Sequence, residues 1–211
     1  MGLYTYHSIY LASQSPRRQE LLKQIGVQFE MLTAEPHEDT ETLEIPIPHE
    51  KAHDYVKRVT LAKSTIALDR WTKSKRPWAP ILCADTTVSL PSSIAGEILG
   101  KPIDTADAVR ILEMLSGKVH EVLTAVVLLV EPNSQPLYVV QVSQVAFSHL
   151  SSEQIAIYIA SGEPFGKAGA YGIQGLGGAF IPTITGSYSG IMGLPIFEVS
   201  QLLDHAKVAR I

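Results

Sequence analysis

Asp85 lies within ILCADTTVSL (81–90), an apolar run that reads as a strand. A carboxylate there must meet a metal, a cation or a cleft, because burying it without a partner is costly. Hydrogen bonds from Thr86 and Thr87 are the structural alternative. Lys63 raises a similar question. From about His49 to about Arg70 the stripe Ala52, Val56, Val59 and Ile66 predicts a long helix, and Lys63 takes a place in that stripe. It either turns inward to a partner or snorkels to the surface. Lys101 is held between Gly100 and Pro102 in LGKP. Its extended, defined backbone suits a ligand contact as well as an exposed turn.

Cations gather again in LASQSPRRQELL (11–22). The run SIYLA (8–12) predicts a strand, and Leu21, Leu22 and Ile25 fall at helical spacing before Gly26. Ser15 is then the N-cap and Pro16 the first helical residue, which puts Arg17 and Arg18 in the first turn. Cations at the positive end of a helix dipole are mildly unfavourable. A bound anion reverses that sign, and the hydroxyls of Ser13 and Ser15, free backbone donors and the guanidiniums would form a phosphate cradle. Two solvated surface arginines are the alternative.

The segment GKAGAYGIQGLGG (166–178) has six glycines in 13 residues. Its backbone must turn repeatedly or come close to something. It does not fit G-x-G-x-x-G, and neither GEILGK nor GEPFGK has the spacing or the Ser/Thr of a P-loop. HEKAH (49–53) matches H-E-x-x-H on a predicted helix, yet nothing nominates a third zinc ligand, so solvated histidines are the better reading.

The elements that must position these residues alternate at first: strand 8–12, helix, strand 27–32, long helix, strand 81–90. KSKRPWAP (73–80) is a basic loop and a candidate insertion. A capped helix over 104–117 follows, then a hairpin from TAVVLLV and LYVVQVSQVAF around NSQP, a helix with a Ser151–Gln154 capping box, and a last helix from Pro195. This predicts an α/β fold whose sheet is mixed. At 211 residues a single domain over 1–211 suffices. With 17 basic and 21 acidic residues the net charge of −4 argues against a nucleic-acid polymer. No apolar run reaches a membrane span, and the lone Cys83 with no charged leader points to a reducing, cytoplasmic setting.

SQSPRRQELL, YVKRVTLAK, CADTTV, LGKP, LSG, EPFGKAGAYGIQGLGG and ITGSYSGIMGLP occur in this order across nearly the whole chain. In this the sequence resembles the Maf family of nucleoside triphosphate pyrophosphatases, also called septum formation inhibitors. SPRR together with AGAYGIQG resembles the branch acting on dTTP and UTP rather than the 7-methyl-GTP branch. The resemblance implies an elongated mixed, twisted sheet with flanking helices, two lobes around a nucleotide cleft as in inosine triphosphate pyrophosphatases, and a homodimer. It implies that Ser13, Ser15, Arg17, Arg18 and Thr86 bind substrate, that Lys63 and Lys101 hold the triphosphate, and that Gln174 reads the base. Glu38 and Asp85 would bind Mg²⁺ or Mn²⁺ or activate water, with Asp39 and Glu41 as alternative counterparts of Glu38 within the same acidic stretch. The family commonly has Asp where this chain has Gly166. The implied reaction is hydrolysis to the monophosphate and pyrophosphate. A nucleotide-binding regulator of division with little or no catalysis is the alternative.

Overall fold

A computed structural model describes residues 5–34, 38, 42–91 and 97–210. Asp39 and Glu41 lie outside the described residues. The opening strand is β1 (Ile9–Leu11), followed by α1 (Pro16–Gln24) and β2 (Phe29–Met31). Pro16 starts α1 as its fixed φ favours, but Ser15 makes no side-chain cap; instead its N–H donates to Ser13 Oγ at 3.2 Å. Gly26, at φ 70°, supplies the left-handed stop that turns the chain back.

The long helix α2 runs Ala52–Ser74 and leads into β3 (Ile81–Leu90). It starts later than expected, because His49 sits at φ 65° outside it. The two imidazoles of HEKAH therefore do not share a helix face. No group of three or more metal-ligating side chains exists among the described residues. At its other end α2 continues to Ser74 and absorbs the start of the basic loop, with Lys75 as its left-handed cap. The rest follows as β4 (Glu97–Leu99), α3 (Thr105–Leu115), β5 (Val119–Leu129), β6 (Leu137–Ala146), α4 (Ser152–Ala160), β7 (Thr183–Thr185), α5 (Tyr188–Met192) and α6 (Ile196–His205). Asp104 caps α3, and the Ser151–Gln154 capping box forms at α4.

The strands make one seven-stranded sheet in the order β2-β1-β3-β5-β6-β7, with β4 also on β3. β1 pairs in parallel with β2 and β3 and the other pairings are antiparallel, so the sheet is mixed as the hairpin required. One edge of β3 is covered along its length by β5. The other is shared: β1 covers it at Ile81 and Leu82, and β4 only from Val88 onward. Between them, residues 83–87 have no strand neighbour on that side among the described residues, and Asp85 and Thr86 lie in this gap. Ligands bind at such crevices, where neighbours diverge beyond the carboxyl end of a parallel strand.

The same split divides the core. On one side Val88 and Leu99 pack with Ile111, Leu112 and Leu115 of α3 and Ile155 and Tyr158 of α4. On the other, Ile9, Leu11, Leu82 and Ala84 pack with α1 and α6. α2 covers the opposite face, where Ala67 meets Ile81 and Cys83, and Val56 and Val59 meet Leu123 and Ala125. Side chains alternate across a strand, so Asp85 shares the Cys83 face and looks toward α2, while Thr86 looks the other way. No helix is long and apolar enough to cross a membrane among the described residues.

Candidate active site

The gap in β3 opens into a cavity of about 410 Å³. Its floor is a chain of alternating charges. Lys63 Nζ lies 2.6 Å from Asp85 Oδ1 and 2.7 Å from Glu44 Oε1, and Lys101 Nζ lies 2.9 Å from Glu44 Oε2. Lys63 thus turns inward from the apolar stripe of α2 rather than snorkelling, and Asp85 takes a cation rather than its threonine neighbours. Burial acts to lower the Lys63 pKa, but the carboxylates of Asp85 and Glu44 outweigh it and hold the pKa above the usual lysine value. Glu44 is the mirror case: burial pushes it up, and Lys63 and Lys101 bring it below the usual carboxylate range.

The first turn of α1 forms a second wall. Arg18 is almost wholly committed to the protein: Nε donates to the Gly193 carbonyl (2.8 Å), Nη1 to Ser13 Oγ (3.1 Å) and Nη2 to Thr86 Oγ1 (3.3 Å). It ties the turn after β1, the middle of β3 and the end of α5 together. Thr86 Oγ1 is also 2.9 Å from Thr124 Oγ1, which donates to the Gly190 carbonyl. Arg17 donates only Nε, to the Met192 carbonyl at 3.2 Å. Its terminal nitrogens have no partner among the described residues and are available to the cleft that Arg17 lines.

The glycine-rich segment supplies the third wall, with Gly166, Lys167, Tyr171 and Gln174 on the lining. Burial, then the nearby Arg17, brings the Lys167 pKa below the usual lysine value. Tyr171 Oη is 2.8 Å from Nε2 of His120 on β5, and His120 Nδ1 has no hydrogen-bond partner among the described residues. Burial pushes His120 down to about 4. Because that is below the unfolded value of about 6.5, the unfolded chain takes up the proton first as the pH falls. The stability that neutral His120 allows is complete above about pH 6.5 and is lost toward pH 4, by about 3 kcal/mol. Urea midpoints across that range should fall, and they should fall less in His120→Gln, which can still hydrogen bond to Tyr171.

Ser13, Ser15, Arg17, Arg18, Lys63, Asp85, Thr86, Lys101 and Gln174 are thus brought to one cavity. Glu38 is not among its lining residues. It forms an ion pair with Arg70, which stands seven residues, two helical turns, beyond Lys63 on α2 and also donates to the Leu32 carbonyl. The structure thus does not bring Glu38 to the cavity with Asp85; the carboxylate that shares Lys63 with Asp85 there is Glu44. Glu44, Lys167 and Tyr171 were not singled out from the sequence. Lys167 and Tyr171 lie within the glycine-rich run that drew attention, whereas Glu44 carried no periodic signal.

Charge summarises the chemistry available. Among the described residues, Arg17, Arg18, Lys63, Lys101 and Lys167 oppose Glu44 and Asp85 on the lining, five cations to two carboxylates. This local excess sits in a chain with a net charge of −4. Asp85 lines the same cavity, and its Oδ2 has no protein partner among the described residues.

The chain is 56% identical over 200 residues to a dTTP/UTP pyrophosphatase of Ralstonia nicotianae, covering 95% of this chain and 94% of that protein. It is 52% identical to a dTTP/UTP pyrophosphatase of Burkholderia orbicola (95% and 94% covered) and 53% identical to one of Albidiferax ferrireducens (93% and 95%). A solved nucleoside-triphosphatase / dITP/XTP pyrophosphatase from Mycobacterium abscessus has a TM-score of 0.42 at 13% identity, over 69% of this chain and 76% of that one, too distant to bear on the site. The family described as "Maf-like protein" matches residues 8–206, and the chain belongs to that family.

Proposed function

We propose that this protein hydrolyses dTTP and UTP to the nucleoside monophosphate and pyrophosphate. The observation that carries the reading is the cluster of five cations around the Asp85–Lys63–Glu44 chain in a protein that is otherwise acidic. Such a cleft suits a small polyphosphate, and the relatives' activity names the nucleotides.

In this reading Arg17 holds the triphosphate with its free terminal nitrogens, while Arg18 keeps the cradle in shape. Lys63 and Lys101 neutralise charge on the phosphates from the opposite side. Asp85 orients a water and takes its proton as the water oxygen bonds to the α-phosphorus. The bond from that phosphorus to the bridging oxygen breaks, and the electron pair leaves with pyrophosphate. Gln174 reads the base. The donor set fits a divalent cation: Asp85 and Glu44 converge on the Lys63 ammonium, and Mg²⁺ is commonly held by one or two carboxylates plus substrate phosphates. Bound there, Mg²⁺ or Mn²⁺ would supply charge neutralisation for the departing phosphates. Glu44 takes the part first given to Glu38.

The proposal extends to a homodimer, for which light scattering should give twice the 23.0 kDa of one chain. It also extends to a reducing, cytoplasmic setting, which suits a lone buried cysteine whose thiol burial pushes up to about 12.

A panel of nucleotides assayed with Mg²⁺ and Mn²⁺, separately for pyrophosphate and orthophosphate, tests the function. dTTP and UTP should be cleaved faster than purine triphosphates and far faster than 7-methyl-GTP, with pyrophosphate released. Binding without turnover of any nucleotide would favour the regulator instead. Arg17→Ala should lower kcat/KM by roughly ten- to a hundredfold, the worth of a charge-assisted contact, while the melting temperature holds. Unchanged kinetics with every nucleotide would remove Arg17 from the site.

A further inference from the structure

Two of the six glycines of 166–178, Gly175 and Gly177, lie directly against one carboxylate and one phenol. Glu163, just after α4, accepts hydrogen bonds from the backbone N–H of Leu176 at 2.8 Å and of Gly177 at 3.0 Å. Tyr158, buried on α4, donates to Glu163 Oε1 at 2.9 Å and accepts from the Gly172 N–H at 3.3 Å. A Cβ on Gly175 would lie 2.3 Å from Glu163 Oε2, and one on Gly177 would lie 2.8 Å from Tyr158 Oη. The backbone comes this close only because those positions lack side chains.

The pair thus pins the segment at Gly172 and again at Leu176 and Gly177. Between the pins lie Ile173 and Gln174, both lining the cleft, whereas Glu163 and Tyr158 do not line it. A glycine-rich segment left free would have to be ordered each time a ligand bound, at a cost in affinity, and a fixed one is preorganised.

We infer that Glu163 and Tyr158 are a positioning pair for nucleobase selection: they hold residues 172–177 in the conformation that sets Ile173 and Gln174 against the base, and do not act on the phosphates. This rests on the reading that the base lies against Gln174. Loosening the segment weakens the grip on a pyrimidine and relaxes the exclusion of a purine, while Asp85, Lys63 and Arg17 stay in place. The signature is therefore a change in KM and in base preference with kcat largely kept.

The experiment compares wild type, Tyr158→Phe, Glu163→Gln and Gly175→Ala with dTTP, UTP and dATP, together with inhibition by pyrophosphate and thermal melts. Gly175→Ala keeps both partners and forces the Glu163 carboxylate away from the backbone, so it tests the arrangement even if a Glu163 variant folds poorly. Each variant should raise KM for dTTP roughly tenfold, as expected for lost hydrogen bonds to a charged group, and lower the dTTP-to-dATP ratio of kcat/KM to a similar extent. kcat should stay within about threefold and pyrophosphate inhibition should not move. Variants with wild-type KM and base ratio would overturn the inference, as would an equal fall in kcat for every nucleotide at unchanged KM. A wild-type enzyme that does not prefer dTTP over dATP would instead remove the reading of the base site, and the pair's role with it.

Discussion

Asp85→Asn is expected to lower turnover of dTTP by roughly 10²–10⁴-fold, the usual worth of a positioned general base. The substitution keeps the shape of the side chain and an oxygen able to accept from Lys63, whose Nζ lies 2.6 Å from Oδ1. It removes the negative charge and the ability to take a proton, and with them the water activation assigned to this residue. Stability should change little. Lys63 retains Glu44 at 2.7 Å, so its ammonium is not stranded, and the weakened pair should cost about 1 kcal/mol. A purely structural aspartate would give the reverse: a clearly lower melting temperature with activity per folded molecule preserved. Melts and pyrophosphate release on one preparation separate the two.

Lys63→Met should have an effect of similar size on turnover, at least about a hundredfold, through loss of a cation that stabilises charge on the phosphates. Its effect on the free protein should differ in kind. The substitution leaves Asp85 and Glu44 facing each other in a part-buried floor, with only Lys101 remaining on Glu44. Breaking a buried pair generally costs 3–5 kcal/mol; with side-chain exposures of 21% for Lys63 and 13% for Asp85 we expect about 2 kcal/mol. Two like charges without their ammonium should also attract a divalent cation more strongly. Mn²⁺ should therefore raise the melting temperature of Lys63→Met more than that of wild type. Equal shifts would show that these carboxylates do not share a cation site.

Much of this site was legible in the sequence because its members broke local rules. Asp85 interrupts an apolar strand, Lys63 interrupts an apolar stripe, and Arg17 and Arg18 stand where a helix dipole repels them. Each violation had a cause in tertiary structure. Glu44 broke no rule. It lies in an acidic, proline-spotted stretch without periodicity, where spacing does not distinguish one carboxylate from the next, and Arg70 captures Glu38. The start of α2 was misplaced for a related reason: HEKAH looks helical by composition, but the left-handed backbone at His49 delays the helix to Ala52. The division of the β3 edge between β1 and β4 depends on pairings between segments far apart in sequence, as do the contacts of Glu163 with residues 176 and 177. Local pattern carries no signal for either.

Hydrolysis of dTTP in ¹⁸O-labelled water shows whether water attacks the α-phosphorus with Asp85 as its base. Mass spectrometry of the products should find the label in dTMP and none in pyrophosphate, with Asp85→Asn forming labelled dTMP at a small fraction of the wild-type rate. Label in pyrophosphate, or release of labelled orthophosphate with dTDP, would contradict the account by placing the attack at another phosphorus.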